Sequence, residues 1–325
     1  SRVLYLKKPY FVGVGNFSYI IMLALPLVFW ACDNDDVDGP SGSGLSIVFP
    51  QGNNDYDREF VSFKEQYGSM VLYKFSNAQF RWAVNEYIPY YGTQAKEEDI
   101  AKAWGLVKSG ISVWPEDFVK KCLPYQILLC DSVYSLWDNN AGTGKDKKLR
   151  NSCCGFNHIA FAFANDRINP QDVETKREAV GDVAYAMISY AISKNIITVP
   201  ERFDTLFTKW KVNYPTYTTN GEIPSGAWGY NGAAAMDGSV EAKSGYTLAH
   251  DFASYVKYIV TCSPATFEER YLNDTFDCGG TKYDTDWNLI PEHRIRQKYE
   301  AVLDYFRDEL GIDLSTIGTQ TEQMR

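Results

Sequence analysis

The sequence predicts an α+β protein in which a small mixed or antiparallel sheet lies beside a helical core. The main observation is the stretch 172–195, where apolar side chains recur every three or four positions over several turns, as in a helix. Its apolar face is too wide for solvent, so we expect this helix to be central and buried. Short apolar runs before it have the length and composition of strands. The 325 residues are 45% hydrophobic, which suits one large domain or two smaller ones.

The remaining elements follow from the same periodicities. Strands are predicted over residues 45–50, 69–75, 125–134 and 153–163. Further helices are predicted over residues 56–67, 96–110, 115–122, 200–207, 245–262, 263–272 and 291–310. Residues 78–83 fit either a continuation of the sheet or a turn of helix. Asn169 and Pro170 predict the start of the central helix, which we expect to pack against helices 245–262 and 291–310.

The first 31 residues have the pattern of a secretory signal. Lys7 and Lys8 precede an apolar run over residues 17–31, which is short and interrupted by a proline. The Ala31–Cys32 junction resembles a bacterial lipoprotein cleavage site, and the acid-rich residues 33–36 resemble the surface-export signal of Bacteroidetes lipoproteins. We therefore expect a signal peptide over residues 1–31 and a lipid on Cys32. Residues 32–44 follow as a flexible acidic tether, and the protein is expected on the outer membrane, exposed at the cell surface.

Composition narrows the class of partner. The formal charge of −9 and the pI near 5.0 argue against nucleic acid, because no basic cluster offsets them. Six cysteines remain after Cys32, an even number that permits disulfides in an exported chain, although their pairing is not readable. The adjacent Cys153 and Cys154 lie in an apolar run, where buried free thiols are expected.

Aromatic residues are abundant in the long segment 210–240, which is also rich in Gly, Pro and Asn. Long segments of this kind are usually functional or mobile. The candidates for binding a peptide or a glycan are Trp210, Tyr214, Tyr217, Trp228 and Tyr230. The alternative is that these rings are core or half-buried anchors.

The order of the elements resembles one known group. The residues that carry the resemblance are the run 56–75 with its LYKF, the strand GFNHIAF at 155–161, the central helix, HDFASYV at 250–256 and YEAVLDYFRDELGIDL at 299–314. Together they resemble the zinc metallopeptidase-like lipoproteins of Bacteroidetes that are associated with TonB-dependent nutrient import. The resemblance covers residues 45–318. It implies a metallopeptidase-like domain over 45–325, with a zincin-like helical core.

The resemblance also implies where zinc would bind. Active members of that group carry His-Glu-x-x-His in the central helix, where two imidazoles one turn apart hold the metal and the glutamate activates water. The matching positions here are Gly181, Asp182 and Tyr185, so neither histidine is present. The later acidic motif falls at His250 and Asp251. A close helix crossing would explain Gly181 without any chemistry.

Three hypotheses remain open. The first is a relative with no cofactor that serves as an accessory in nutrient import, beside TonB-dependent importer components, and binds peptide or glycan fragments. The second is an active zinc metallohydrolase with a displaced site, in which Asp182, as the base, converges with His250 and Asp251 on metal or substrate. The third is a glycan-binding surface protein that uses the aromatic residues between positions 210 and 230.

Overall fold

A computed structural model describes residues 46–84, 88–135, 149–210, 248–272 and 294–325. Its helices are α1 Asp55–Tyr67, α2 Asn77–Arg81, α3 Glu97–Ser112, α4 Glu116–Cys122, α5 Val173–Ser193, α6 Glu201–Trp210, α7 Leu248–Ile259, α8 Pro264–Tyr271, α9 Arg294–Asp308 and α10 Leu314–Glu322. Its strands are β1 Met70–Leu72, β2 Tyr90–Gln94, β3 Gln126–Ser135, β4 Leu149–Arg150, β5 Ser152–Cys154 and β6 His158–Phe161. The predicted signal peptide, Cys32 and the tether to residue 44 lie outside the described residues.

Strand β3 is the centre of the sheet. Its first half pairs in parallel with β1 and β6, so that Ile127 lies between Val71 and Ile159. Its second half pairs antiparallel with β2 and β4, and β5 pairs antiparallel with β6. The predicted α+β class with a small mixed sheet is therefore confirmed.

Alternation along these strands gives the sheet two buried faces. Val71, Ile127 and Leu129 belong to the main core, which the helices build on one face. Leu72 and Leu128 point the other way, into a smaller cluster with Phe75 and Phe80. The sheet therefore separates the helical core from a second, smaller apolar layer.

Two strand predictions were wrong. The run 153–163 is not one strand: it turns back at Gly155, whose N–H donates to His158 O at 2.8 Å, and so forms the β5–β6 hairpin. Any Cβ at Gly155 would lie 2.1 Å from the His158 ring, so glycine is required there. Residues 46–50 form no strand, because Ser46 O accepts from the Gln79 side chain rather than from a neighbouring strand. Strand β2 was not predicted at all.

Helix α5 is the buried central helix that the sequence predicted. Val180, Ala184 and Ile188 have no exposed surface, and it packs against α3, α7 and β5. Its cap is Asp172, whose carboxylate accepts from Thr175 N at 2.8 Å, and not Asn169 as predicted. Asn195, in the left-handed region at φ 56°, follows its end.

The C-terminal helices differ from the prediction in two ways. Helix α9 packs mainly on α6 and α7, whereas we expected it on the central helix; α5 packs on α7 as expected. The chain also continues beyond the predicted last helix into α10. A Cβ at Gly318 of α10 would lie 2.2 Å from Cys262 O, so this helix approaches the backbone after α7 closely. No helix within the described ranges is long and apolar enough to cross a membrane.

Candidate functional site

Gly181 lies where α5 crosses the chain of α7. A Cβ at this position would lie 2.7 Å from Thr261 Cγ2 and 3.1 Å from Lys257 Cγ. Carbon atoms in a packed interior do not approach this closely, so only glycine permits the crossing. The structure confirms the close crossing that the sequence offered as an explanation for Gly181.

Asp182 is 4% exposed and both of its carboxylate oxygens accept hydrogen bonds. Lys257 Nζ donates to Oδ1 at 2.7 Å, and Asn151 Nδ2 donates to Oδ2 at 2.7 Å. A buried carboxylate is tolerated when it is paired in this way. Asp182 thus joins three separate parts of the chain: α5, α7 and the segment between β4 and β5.

Tyr185, one turn further along α5, contacts His250 of the later acidic motif. Its hydroxyl lies 2.6 Å from His250 Nδ1, and the two rings meet edge to face with centroids 5.5 Å apart. Burial raises the pKa of the Tyr185 phenol above its ordinary value of 10. The phenol therefore keeps its proton at neutral pH and is hydrogen-bonded to the imidazole nitrogen.

Asp251 forms a separate ion pair. Its Oδ2 accepts from Lys298 Nζ of α9 at 2.5 Å, and both side chains are fully buried. The Lys298 ammonium also lies 5.3 Å from the centroid of the Phe203 ring, which favours the positive charge. His250 and Asp251 are adjacent in sequence but turn to different partners, as neighbours on a helix do.

His158 stands apart from these residues, on the sheet. It is fully buried against the Phe80 ring, and burial lowers its pKa to about 4. Cys153 and Cys154 are free thiols, as expected; Cys153 is buried and Cys154 is half-buried. Burial raises the pKa of the Cys154 thiol to about 12, so both the imidazole and this thiol stay uncharged at neutral pH.

These residues do not fit a zinc ion at the position that the resemblance implies. A catalytic zinc takes three protein ligands and a water, at about 2.0–2.2 Å for nitrogen and oxygen. Gly181 has no donor atom, Tyr185 offers a protonated phenol, and Asp182 is engaged by an ammonium and an amide. Across the described ranges, no three His, Cys, Asp or Glu side chains lie together as a metal site requires. Asp182, His250 and Asp251 therefore do not form one cluster.

Sequence reasoning missed the cations that hold these acids. Lys298 falls on the apolar stripe of α9, three residues after Ile295 and four before Val302, and a lysine there signals a buried charge that needs an acid. Asn151 carried no comparable signal. Of the aromatic candidates, Trp210 is the last residue of α6. Tyr214, Tyr217, Trp228 and Tyr230 lie outside the described residues.

The fold and these contacts define an α+β protein whose central helix carries a paired aspartate and a tyrosine where the resemblance implies metal ligands and a base. A scan against models of protein families finds no match, and a search of curated proteins finds none. Among solved structures, the chain is similar to a provisionally assigned zinc-binding metallo-peptidase from Bacteroides caccae. The identity is 16% and the TM-score 0.47, over 82% of this chain and 89% of that one. Similarity at this level assigns no residue a role.

Proposed function

We propose that this protein is a surface-exposed lipoprotein that binds nutrient fragments, peptide or glycan, as an accessory to import and works without a catalytic zinc. Its anchor is a lipid on Cys32 in the outer membrane, and its partners are components of a TonB-dependent importer. The sequence supports the anchor, and the contacts of α5 support the lack of zinc.

The observation that carries the proposal is the engagement of Asp182 by Lys257 and Asn151. A carboxylate that activates a metal-bound water attracts that water's proton with its negative charge. An ammonium 2.7 Å from Oδ1 competes for the same charge, and it holds a positive group where a zinc ion would be repelled. Beside it, the crossing at Gly181 leaves no room for a ligand side chain.

Metal analysis of the full chain tests this directly. Protein purified without chelator and then dialysed against equimolar Zn²⁺ should hold much less than one zinc per chain. The double variant Gly181→His, Tyr185→His should not gain a site, because the imidazole at 181 has to displace Thr261 and Lys257. About one tightly held zinc in the parent protein would contradict the proposal and favour the active metallohydrolase.

The anchor has its own test. Mass spectrometry of membrane-extracted protein should find diacylglycerol on a mature N-terminal Cys32, and Cys32→Ala should release the protein into the soluble fraction. A mature protein that begins at another residue would contradict this.

Affinity capture from detergent-solubilised outer membranes should recover an importer component with the parent protein, and capture that recovers none would count against the import role.

A further inference from the structure

A cavity of about 210 Å³ lies on the face of the sheet opposite α5. Its apolar walls are Leu72, Phe75 and Leu128, which belong to the smaller of the two apolar layers. Trp82 lines it and packs edge to face on Phe156, with centroids 5.1 Å apart. The cavity is therefore separated by the sheet from the paired residues of the central helix.

One polar side chain reaches this cavity from inside the fold. Gln126 has the same strand parity as Leu128, so its carboxamide points to the same face of the sheet, and it lines the cavity. Its residue is only 5% exposed, yet within the described part of the chain its carboxamide has no hydrogen-bond partner. Neither of its polar atoms is among the fully buried ones that lack a partner, so the carboxamide still reaches the open space of the cavity, where a ligand that displaces water has to supply hydrogen bonds of its own.

The other polar residues at the cavity are also carboxamides. The Gln79 side chain already donates to Ser46 O and accepts from Ser76 N, so these hydrogen bonds hold it in the wall of the cavity. Asn157 lies with its Oδ1 3.4 Å from His158 Nδ1. Among the residues that the structure describes, none of those that line the cavity is charged. A charged ligand would therefore lose hydration without a partner, which excludes carboxylates and ammonium groups.

We propose that this cavity binds one apolar side chain of a peptide, aromatic or branched aliphatic, while the Gln126 carboxamide pairs with the adjacent peptide group. A carboxamide offers one acceptor and two donors, which complements the N–H and C=O of a main chain. The volume suits a single side chain and is smaller than the roughly 300–1,000 Å³ of sites for larger ligands. A sugar ring fits less well, because its hydroxyls would face Leu72, Phe75 and Leu128.

This inference names the ligand class of the proposed binding function and rests on it. Its test needs neither the lipid nor the importer. If the peptide does not bind, the proposed anchor and import role still stand. If the protein instead carries no lipid on Cys32, the proposal for this cavity is unaffected.

The test uses three blocked tripeptides, acetyl-Gly-Xaa-Gly-amide with Phe, Asp or Gly in the centre, and calorimetry with the full chain. The Phe peptide should bind saturably and the other two should not. Gln126→Leu should weaken binding of the Phe peptide about tenfold, the order expected for lost ligand hydrogen bonds. Because the described part of the chain offers this carboxamide no hydrogen bond that the substitution would break, the variant should keep the fold. Gln320→Leu, on the exposed surface of α10, is the matched control and should bind as the parent does.

A photoreactive leucine in the central position locates the site independently of any variant. Cross-links should fall on the residues around the cavity, which are Ile47, 72–82, 126–128 and Asn157. Cross-links confined to other segments, equal affinity for the Phe and Gly peptides, or saturable binding of maltotriose without binding of the Phe peptide would each overturn the proposal. The last outcome would identify a glycan-binding protein instead.

Discussion

Lys257 Nζ lies 2.7 Å from Asp182 Oδ1 and joins α7 to the central helix at the position where the resemblance implies a catalytic base. Asp182 is almost fully buried, whereas the Lys257 side chain keeps 29% of its surface exposed. Solvent therefore screens the Lys257 ammonium but hardly reaches the Asp182 carboxylate. Loss of the pair should destabilise the fold mainly because the carboxylate stays buried without its cation.

Removing one member of this pair should therefore destabilise the fold. We expect Lys257→Met to lower the free energy of unfolding by about 1–3 kcal/mol, because it leaves the buried Asp182 carboxylate with Asn151 alone. Denaturant unfolding measures this. The double variant Asp182→Asn, Lys257→Met should recover part of the loss. A loss in the double variant equal to the sum of the losses in the two single variants would contradict the pairing.

Glycine at 181 should be required for packing and not for backbone freedom. Gly181→Ala should destabilise by about 1–3 kcal/mol, because the added methyl group overlaps Thr261. Gly105→Ala in α3 is the control: nothing lies within 4 Å of its Cβ, so it should stabilise by about 0.5–1 kcal/mol. Thr261→Ser removes the overlapping methyl group and should restore part of the stability of Gly181→Ala. Equal effects at the two glycines would refute the crossing.

The fully buried pair Lys298–Asp251 should be more sensitive than surface pairs on the same helix. We expect Lys298→Met to cost about 3–5 kcal/mol, since it leaves a carboxylate buried without its cation. Arg307→Met, which removes an exposed pair with Asp304 on α9, should change the stability little, because solvent screens the pair. Adding Asp251→Asn to Lys298→Met should recover much of the loss. Thermal unfolding of the parent, the two single variants and the double variant measures these differences in stability. Similar losses of stability in Lys298→Met and Arg307→Met would contradict the burial of the Lys298–Asp251 pair.

His158 should make stability depend on pH. The pKa of the buried imidazole is about 4, while in the unfolded chain it is near 6.5. Between these values the unfolded state binds more protons, so the stabilising contribution is complete above pH 6.5 and is lost as the pH falls to about 4. The loss should approach about 3 kcal/mol. His158→Phe should unfold with a shallower pH dependence over this window, and an unchanged slope would contradict the prediction.

The sequence by itself determined the class of fold and most of its helices. The period of apolar residues is enough to place α5, α7 and α9 in the interior, because burial of a helix face depends on its own pattern. The β5–β6 hairpin was missed because the need for glycine at 155 comes from the His158 ring across the turn, a contact that the apolar pattern along the chain does not show. Strand β2 was missed because its pairing with β3 is what makes it a strand.

Only the tertiary structure decided what the candidate residues contact. The resemblance implied that Gly181 and Tyr185 stand where histidines would, but not that α7 fills the space beside Gly181 or that the Tyr185 hydroxyl lies 2.6 Å from His250 Nδ1. It could not assign Lys257 to Asp182 or Lys298 to Asp251, because each pair joins helices far apart in the chain. Periodicity reports which face of an element is buried; the partner across that face depends on how the elements pack.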